Sequence, residues 1–335
     1  MPSGGDRNLY PVAPDKIPAA MRPFRLLTAL IATSMALVVL PAEAGAAAPA
    51  PRLEAGTAGT YPFSKGDRAV VQGAAWRVTG VARTGPGAGV IVKLYRGKRL
   101  VKVVRRGVAA DGRFATRFRI GKAGPITVEV VRPQTAGGAA ARARRFSVWV
   151  LNPSARSGPS MRFLQQRLSR MGYWPSLSGR YDYRTSWAIM AYRKVNGMAR
   201  SFALNRAIFL RAARGAGRFA PKYGATGRNR VEADLSRQVY VLINAKGKVV
   251  RVVPTSSGKP STPSDIGRFR FYRKQPGVNG VGMVNSVYYN GGEALHGYKD
   301  VPTYPASGGC LRTPTTYSRA IMGWVRLGDR IDVYR

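Results

Sequence analysis

The chain contains one cysteine, Cys310, and one histidine, His296, and they lie 14 residues apart. Taken singly, a free cysteine is most often a small buried hydrophobe, and a lone histidine a surface or satisfied core residue. Together in one short stretch they suggest a nucleophile and its base. A thiol attacks as thiolate, and at its unperturbed pKa it is only a few per cent ionised at neutral pH, so it needs a base or a positive environment. An ordinary imidazole is mostly neutral at pH 7 and able to take the proton, while Arg312, two residues beyond Cys310, favours the thiolate electrostatically. The cysteine follows Ser307-Gly308-Gly309. Two residues without Cβ permit a tight turn and close substrate approach. Gly308 and Gly309 also offer backbone N–H groups toward an oxyanion, each such donor being worth about 2.7–4 kcal/mol in other acyl-transfer sites. One Cys and one His exclude an intrachain disulfide and a Cys/His zinc cluster, and neither metal nor cofactor is expected.

The 335 residues carry 55 Lys plus Arg against 15 Asp plus Glu, a formal charge of +40. The length allows about two or three domains, and 45% apolar residues with 10% aromatics can fill real cores. Arg22 and Arg25 precede an uncharged run from Leu26 to Leu40, and Ala42-Glu43-Ala44-Gly45-Ala46 follows it. This is the pattern of an export signal over 1–46 with its true start at Met21; the run is shorter than the about 20 residues of a spanning helix. The mature protein is therefore expected outside the cytoplasmic membrane, in the wall or periplasmic space, with membrane contact only during export. There the positive charge is expected to meet peptidoglycan carboxylates or anionic wall polymers rather than nucleic acid.

The elements that must position the Cys–His pair form three units after an Ala/Pro-rich linker at 45–52. Residues 57–151 alternate apolar and polar in short runs, with Phe114, Thr116, Phe118 and Ile120 on one face and Arg113, Arg117 and Arg119 on the other. About seven strands at this spacing predict an immunoglobulin-like β-sandwich. From 153 to 215 the period becomes helical: Leu164, Leu168 and Met171 form one stripe, Trp187, Ala188, Ala191, Tyr192 and Val195 a second, and a third helix covers 203–213. Gly215 to Arg230 is Gly-, Arg- and Lys-rich and reads as a tether. Strands return from Val231, so the whole chain is multidomain and mainly β.

The string FLQQRLSRMGYWPSLSGRYDYRTSWAIMAYRKVNGM resembles the helical peptidoglycan-binding domain of wall hydrolases and transpeptidases, although Tyr192-Arg193 stands where that family usually has Phe-Gln. Residues 228–335 resemble the catalytic domain of L,D-transpeptidases, the YkuD-like fold. The resemblance runs through Val231–Asp234, TSSGK at 255–259, TPSDIGRF at 262–269, His296-Gly297 and YPASGGCLR ending at Arg312. It implies a mostly β catalytic domain in which Cys310 attacks the carbonyl of the third stem-peptide residue, D-Ala leaves, and the acyl group passes to an amine of a neighbouring stem. It makes His296 the base and the amides of Gly308, Gly309 and Cys310 the oxyanion hole. Ser307, Arg312, Gly297 and Tyr298 become substrate-contacting candidates, Arg312 because a guanidinium can hold a stem carboxylate bidentately; a structural ion pair is the other use for it. Tyr288 and Tyr289 are further candidates for the cleft wall. Gly308 replaces the family motif's second histidine. An L,D-carboxypeptidase with water as acceptor and a catalytically lapsed wall-binding protein are the competing readings, and the implied partners are peptidoglycan stems and glycan.

Overall fold

The computed structural model describes residues 53–64, 66–82, 89–134 and 140–335. The expected export signal, Met21 and the linker up to residue 52 lie outside the described residues. Among the described residues no helix is long and apolar enough to cross a membrane.

The first module is a sandwich of short strands. They are β1 (Leu53–Ala58), β2 (Tyr61–Pro62), β3 (Arg68–Val71), β4 (Ala75–Ala82), β5 (Gly89–Arg96), β6 (Arg99–Gly107), β7 (Arg113–Arg119), β8 (Gly124–Arg132), β9 (Ala141–Arg142) and β10 (Phe146–Leu151). One sheet has the order β1-β4-β7, and the other β2-β3-β10-β8-β5-β6 with β9 on β8. The alternation of β7 does what its sequence dictates: Phe114, Thr116 and Phe118 are buried while Arg113, Arg117 and Arg119 face solvent. Phe118 meets Trp76 at 5.3 Å between ring centroids, over Val92, Leu94 and Val128 of the opposite sheet. Edge strand β6 exposes Leu100, Val101 and Val103, and Arg99, Lys102, Arg105 and Arg106 interleave them. Charges so placed discourage pairing of the edge with another chain.

Three helices follow: α1 (Gly158–Arg170), α2 (Tyr183–Val195) and α3 (Arg206–Ala213). Asp182 and Asn205 cap α2 and α3, each side-chain oxygen accepting the amide three residues on at 2.9 Å. Helix α2 is buried on nearly every side. Ala188, Ile189, Ala191, Tyr192 and Val195 join α1, α3 and Val239, Val241 and Val252 in one core, while Trp187 and Met190 enter a second core with Val231, Tyr240 and Val253. The first of these cores also takes in Ala69, Val71 and Leu151 of the sandwich. The helical unit is thus welded to both neighbours. Each large apolar side chain buried this way contributes about 1.5–3 kcal/mol.

The segment read as a tether is packed. Phe219 is buried, Tyr173 and Tyr192 donate their hydroxyl protons to the carbonyls of Gly217 and Ala216, and buried Glu232 accepts the amides of Lys222 and Tyr223. The reason lies in the helical core, whose two buried tyrosines take their acceptors from this segment. Tyr192 and Arg193, the departures from the helical family pattern, have internal uses too: the Arg193 guanidinium binds the carbonyls of Ala199 and Ala203.

The last module holds β11 (Arg230–Asp234), β12 (Val239–Ile243), β13 (Val249–Pro254), β14 (Gly267–Arg270), β15 (Arg273–Val278), β16 (Val284–Asn290), β17 (Glu293–Tyr298), β18 (Leu311–Pro314), α4 (Thr315–Trp324) and β19 (Arg330–Tyr334). Its two sheets have the orders β13-β12-β11-β19-β14 and β15-β16-β17-β18. Helix α4, which the strand-dominated pattern hides, packs on β16 and β17.

Candidate active site

Strands β17 and β18 run parallel, with Leu295 opposite Leu311 and His296 opposite Arg312. Side chains alternate across a sheet, so this register sets two faces. Leu295 and Leu311 enter the core, and Gly297 points at α4: a Cβ there would stand 2.9 Å from the Ser318 Cβ. Ala294, His296, Tyr298, Cys310 and Arg312 take the other face. The only imidazole and the only thiol of the chain therefore stand on one side of two neighbouring strands, although 14 residues separate them in sequence. Tyr288 joins them through its pairing with Ala294, and Met283, Tyr288 and Ala294 pack beside Cys310.

His296 is only 3% exposed, and its Nδ1 lies 2.9 Å from the carbonyl oxygen of Gly297. A carbonyl can only accept, so Nδ1 carries the proton and Nε2 keeps its lone pair. Burial holds the imidazole well below its ordinary range, at about 4; the Gly297 bond opposes this and the Arg312 charge adds to it. The ring is thus neutral at pH 7. Burial pushes the Cys310 thiol up, and the Glu293 carboxylate pushes the same way, against the Ala294 amide and the Arg312 charge, which favour the thiolate. The resting pair is neutral thiol and neutral imidazole, a combination that needs proton transfer at the moment of attack.

The turn before Cys310 is held by serines. Ser307 is 1% exposed, its hydroxyl donates to the Cys310 carbonyl at 2.6 Å, and it accepts the Gly309 amide at 3.2 Å. Ser264 donates to the Gly309 carbonyl and accepts the Gly258 amide. Gly309 has φ +117°, a conformation L side chains rarely adopt, and a Cβ there would sit 3.1 Å from Glu293 Oε1. Gly308 has open space around it. Among the described residues, the amides of Gly308 and Cys310 are not drawn into the turn's own hydrogen bonds.

Two residues read from sequence as substrate contacts are placed elsewhere. Ser307 is buried because its hydroxyl is committed to the turn, and Gly297 packs against α4 because the β17–β18 register turns it inward. Tyr289 also goes to the core, whereas Tyr288 stays on the side of Cys310. Tyr298 and Arg312 do share the face of His296 and Cys310, the Arg312 guanidinium lying 4.3 Å from the Tyr298 ring centroid and His296 meeting that ring edge to face at 5.7 Å. Arg312 has no carboxylate partner among the described residues. Its backbone is pinned by Ser256 on both sides, at 3.0 Å each, and by the Thr255 hydroxyl at 2.7 Å. Thr255 in turn accepts from buried Lys194 of α2 at 2.7 Å. The supporting residues Thr255, Ser256, Ser264 and Glu293 had no assigned role in the sequence. Thr255, Ser256 and Ser264 fall in the TSSGK and TPSDIGRF segments already singled out in the sequence, whereas nothing there pointed to Glu293.

Residues 228–333 match the model of the YkuD L,D-transpeptidase catalytic domain, and residues 157–201 match that of a peptidoglycan-binding domain. No curated protein matches the chain. Among solved structures, an L,D-transpeptidase from Xylanimonas cellulosilytica is 29% identical, with 54% of this chain and 95% of that one covered and a TM-score of 0.48. One from Stackebrandtia nassauensis is 18% identical over 54% and 93%, with a TM-score of 0.36. One from Mycobacterium smegmatis is 12% identical over 85% and 100%, with a TM-score of 0.29. The two family matches thus fall on the modules that the fold separates, the YkuD L,D-transpeptidase catalytic domain on the last module and the peptidoglycan-binding domain on the helical unit.

Proposed function

We propose that this chain is an exported enzyme that joins peptidoglycan stems by L,D-transpeptidation, with Cys310 as nucleophile and His296 as base. The observation that carries the reading is the placement of the sole thiol and sole imidazole on one face of β17 and β18, beside a glycine turn with uncommitted amides. His296 Nε2 takes the thiol proton as Sγ bonds to the carbonyl carbon of the third stem residue. The oxyanion that forms is met by the amides of Gly308 and Cys310, with Gly309 shared with Ser307. When the tetrahedral centre collapses, its C–N bond breaks and the imidazolium returns its proton to the departing D-Ala amine. An amine of a second stem then attacks the thioester, loses a proton to His296, and the thiolate leaves and is reprotonated. Arg312, free of internal carboxylates and braced by Tyr298, suits a stem carboxylate. Export is supported by the Leu26–Leu40 run with its preceding arginines and following small residues.

The test incubates purified mature protein with tetrapeptide muropeptides and reads products by mass spectrometry. A cross-linked dimer with release of D-Ala is expected, and a free tripeptide without dimer would assign a carboxypeptidase instead. Cys310→Ala should abolish the product and any covalent adduct with a carbapenem, with a change in stability of less than about 1.5 kcal/mol, since little packing is lost. An adduct persisting in that variant would remove Cys310 from the role.

A further inference from the structure

Where the sandwich meets the helical unit, a cavity of about 610 Å³ opens to solvent. Phe63, Asp67 and Trp149 wall it from the sandwich, and Arg162, Gln166 and Arg180 from the helical unit. Neither unit makes it alone, and its volume is that of an ordinary small-ligand site. The aromatic wall is fixed in place: Phe63 and Trp149 meet edge to face at 5.8 Å, and Trp149 Nε1 donates to Asp67 at 3.1 Å. The facing wall is cationic. Arg162 and Arg180 are exposed and have no carboxylate partner among the described residues. Two neighbouring depressions share lining residues with it, one Asp67 alongside Arg144 and Arg145, the other Ser157 and Arg180 alongside Arg156 and Tyr181. A groove longer than one ring, with aromatic and cationic walls, fits a strand rather than a single small molecule.

We propose that this junction groove binds the glycan strand of peptidoglycan, a sugar ring against Phe63 and Trp149 and a lactyl or stem carboxylate on Arg162 and Arg180. The inference rests on the peptidoglycan-acting reading above, and it places the binding surface partly outside the helical unit. The ring wall decides between an amino-sugar strand and a phosphate polymer: the apolar C–H face of a sugar ring packs on Phe63 and Trp149, whereas a run of charged phosphates loses hydration there and gains nothing. Because the sandwich and the helices share one core with β12 and β13, a strand held here has a set position relative to Cys310.

The test is co-sedimentation of the full mature chain with sacculi stripped of phosphate-containing polymers. Arg162→Glu with Arg180→Glu should weaken binding by about tenfold or more, as loss of two charge-assisted contacts implies. Arg105→Glu with Arg106→Glu on exposed β6 changes the net charge equally and should stay within about twofold of wild type. Equal loss in both pairs, no loss in the first, or wild-type binding that vanishes on stripping would each overturn the proposal. Carbapenem acylation of wild-type Cys310 is read in parallel. Its absence would count against the catalytic reading while leaving the groove result to stand by itself.

Discussion

Replacing His296 by glutamine removes the base but keeps a buried polar side chain of similar size, so the loss is readable as chemistry. A thiol at the unperturbed pKa of about 8.5 is roughly 3% thiolate at pH 7, and burial of Cys310 makes the fraction smaller. Without a base the reaction runs only through that fraction. The His296→Gln variant should therefore acylate at least about 30-fold more slowly at pH 7, or about 2 kcal/mol of barrier. Its log rate should climb by one unit per pH unit from 6 toward the raised thiol pKa. Wild type behaves differently because the imidazole, held at about 4 by burial, is already neutral above pH 5. Its rate should fall below about pH 4 to 5 and stay level through pH 8, so the deficit of the variant shrinks steadily as pH rises. Stopped-flow acylation by a carbapenem from pH 4 to 10, with the adduct confirmed by mass spectrometry, measures both curves. A level profile in His296→Gln, or a wild type that tracks hydroxide across pH 6 to 8, would refute the proton-transfer argument.

Position 308 should tolerate what position 309 does not. Gly308→His meets open space and should alter the rate by at most about tenfold, whereas Gly309→Ala combines φ +117° with a contact to Glu293 and should cost about 1–3 kcal/mol of stability and most of the activity, by thermal melt and turnover. An inert wild type that Gly308→His makes strongly active would favour the lapsed-enzyme reading. Lys194, held down to about 7 by burial, lets the unfolded chain bind a proton that the folded chain lacks between pH 7 and about 10, so its contribution to stability rises with pH over that window. Lys194→Met should accordingly raise Tm most at pH 7 or below, with the advantage shrinking toward pH 10, and a pH-independent difference would contradict a desolvated ammonium. Residues 228–335 expressed alone should aggregate or bind a hydrophobic dye, because Val239, Val241 and Val252 lose the cover of α2; a soluble, cooperatively melting fragment would show that the shared core is dispensable.

Residue types alone singled out His296 and Cys310, since a chain with one imidazole and one thiol offers no other pair. Local periodicity was equally readable. The alternation of Phe114, Thr116 and Phe118 needs only a strand, and the stripes of α1 and α2 need only a 3.6-residue turn, both set by near neighbours. What faced what was not local. The β17–β18 register joins segments 14 residues apart by parallel pairing, and it sends Gly297 to α4 and His296 to the side of Cys310 on a parity that no local pattern records. Ser307 reads as a cleft residue from its place beside the glycines, yet its hydroxyl closes the turn, because the Cys310 carbonyl and the Gly309 amide need partners there. Gly215 to Arg230 has the composition of a tether and is packed all the same, since buried Tyr173 and Tyr192 take their acceptors from it. Helix α2 carries its apolar residues as one stripe in sequence but is buried almost all round. Helix α1 packs on one side of it and β12 and β13 of the last module on another, and only the tertiary structure brings those distant strands to it.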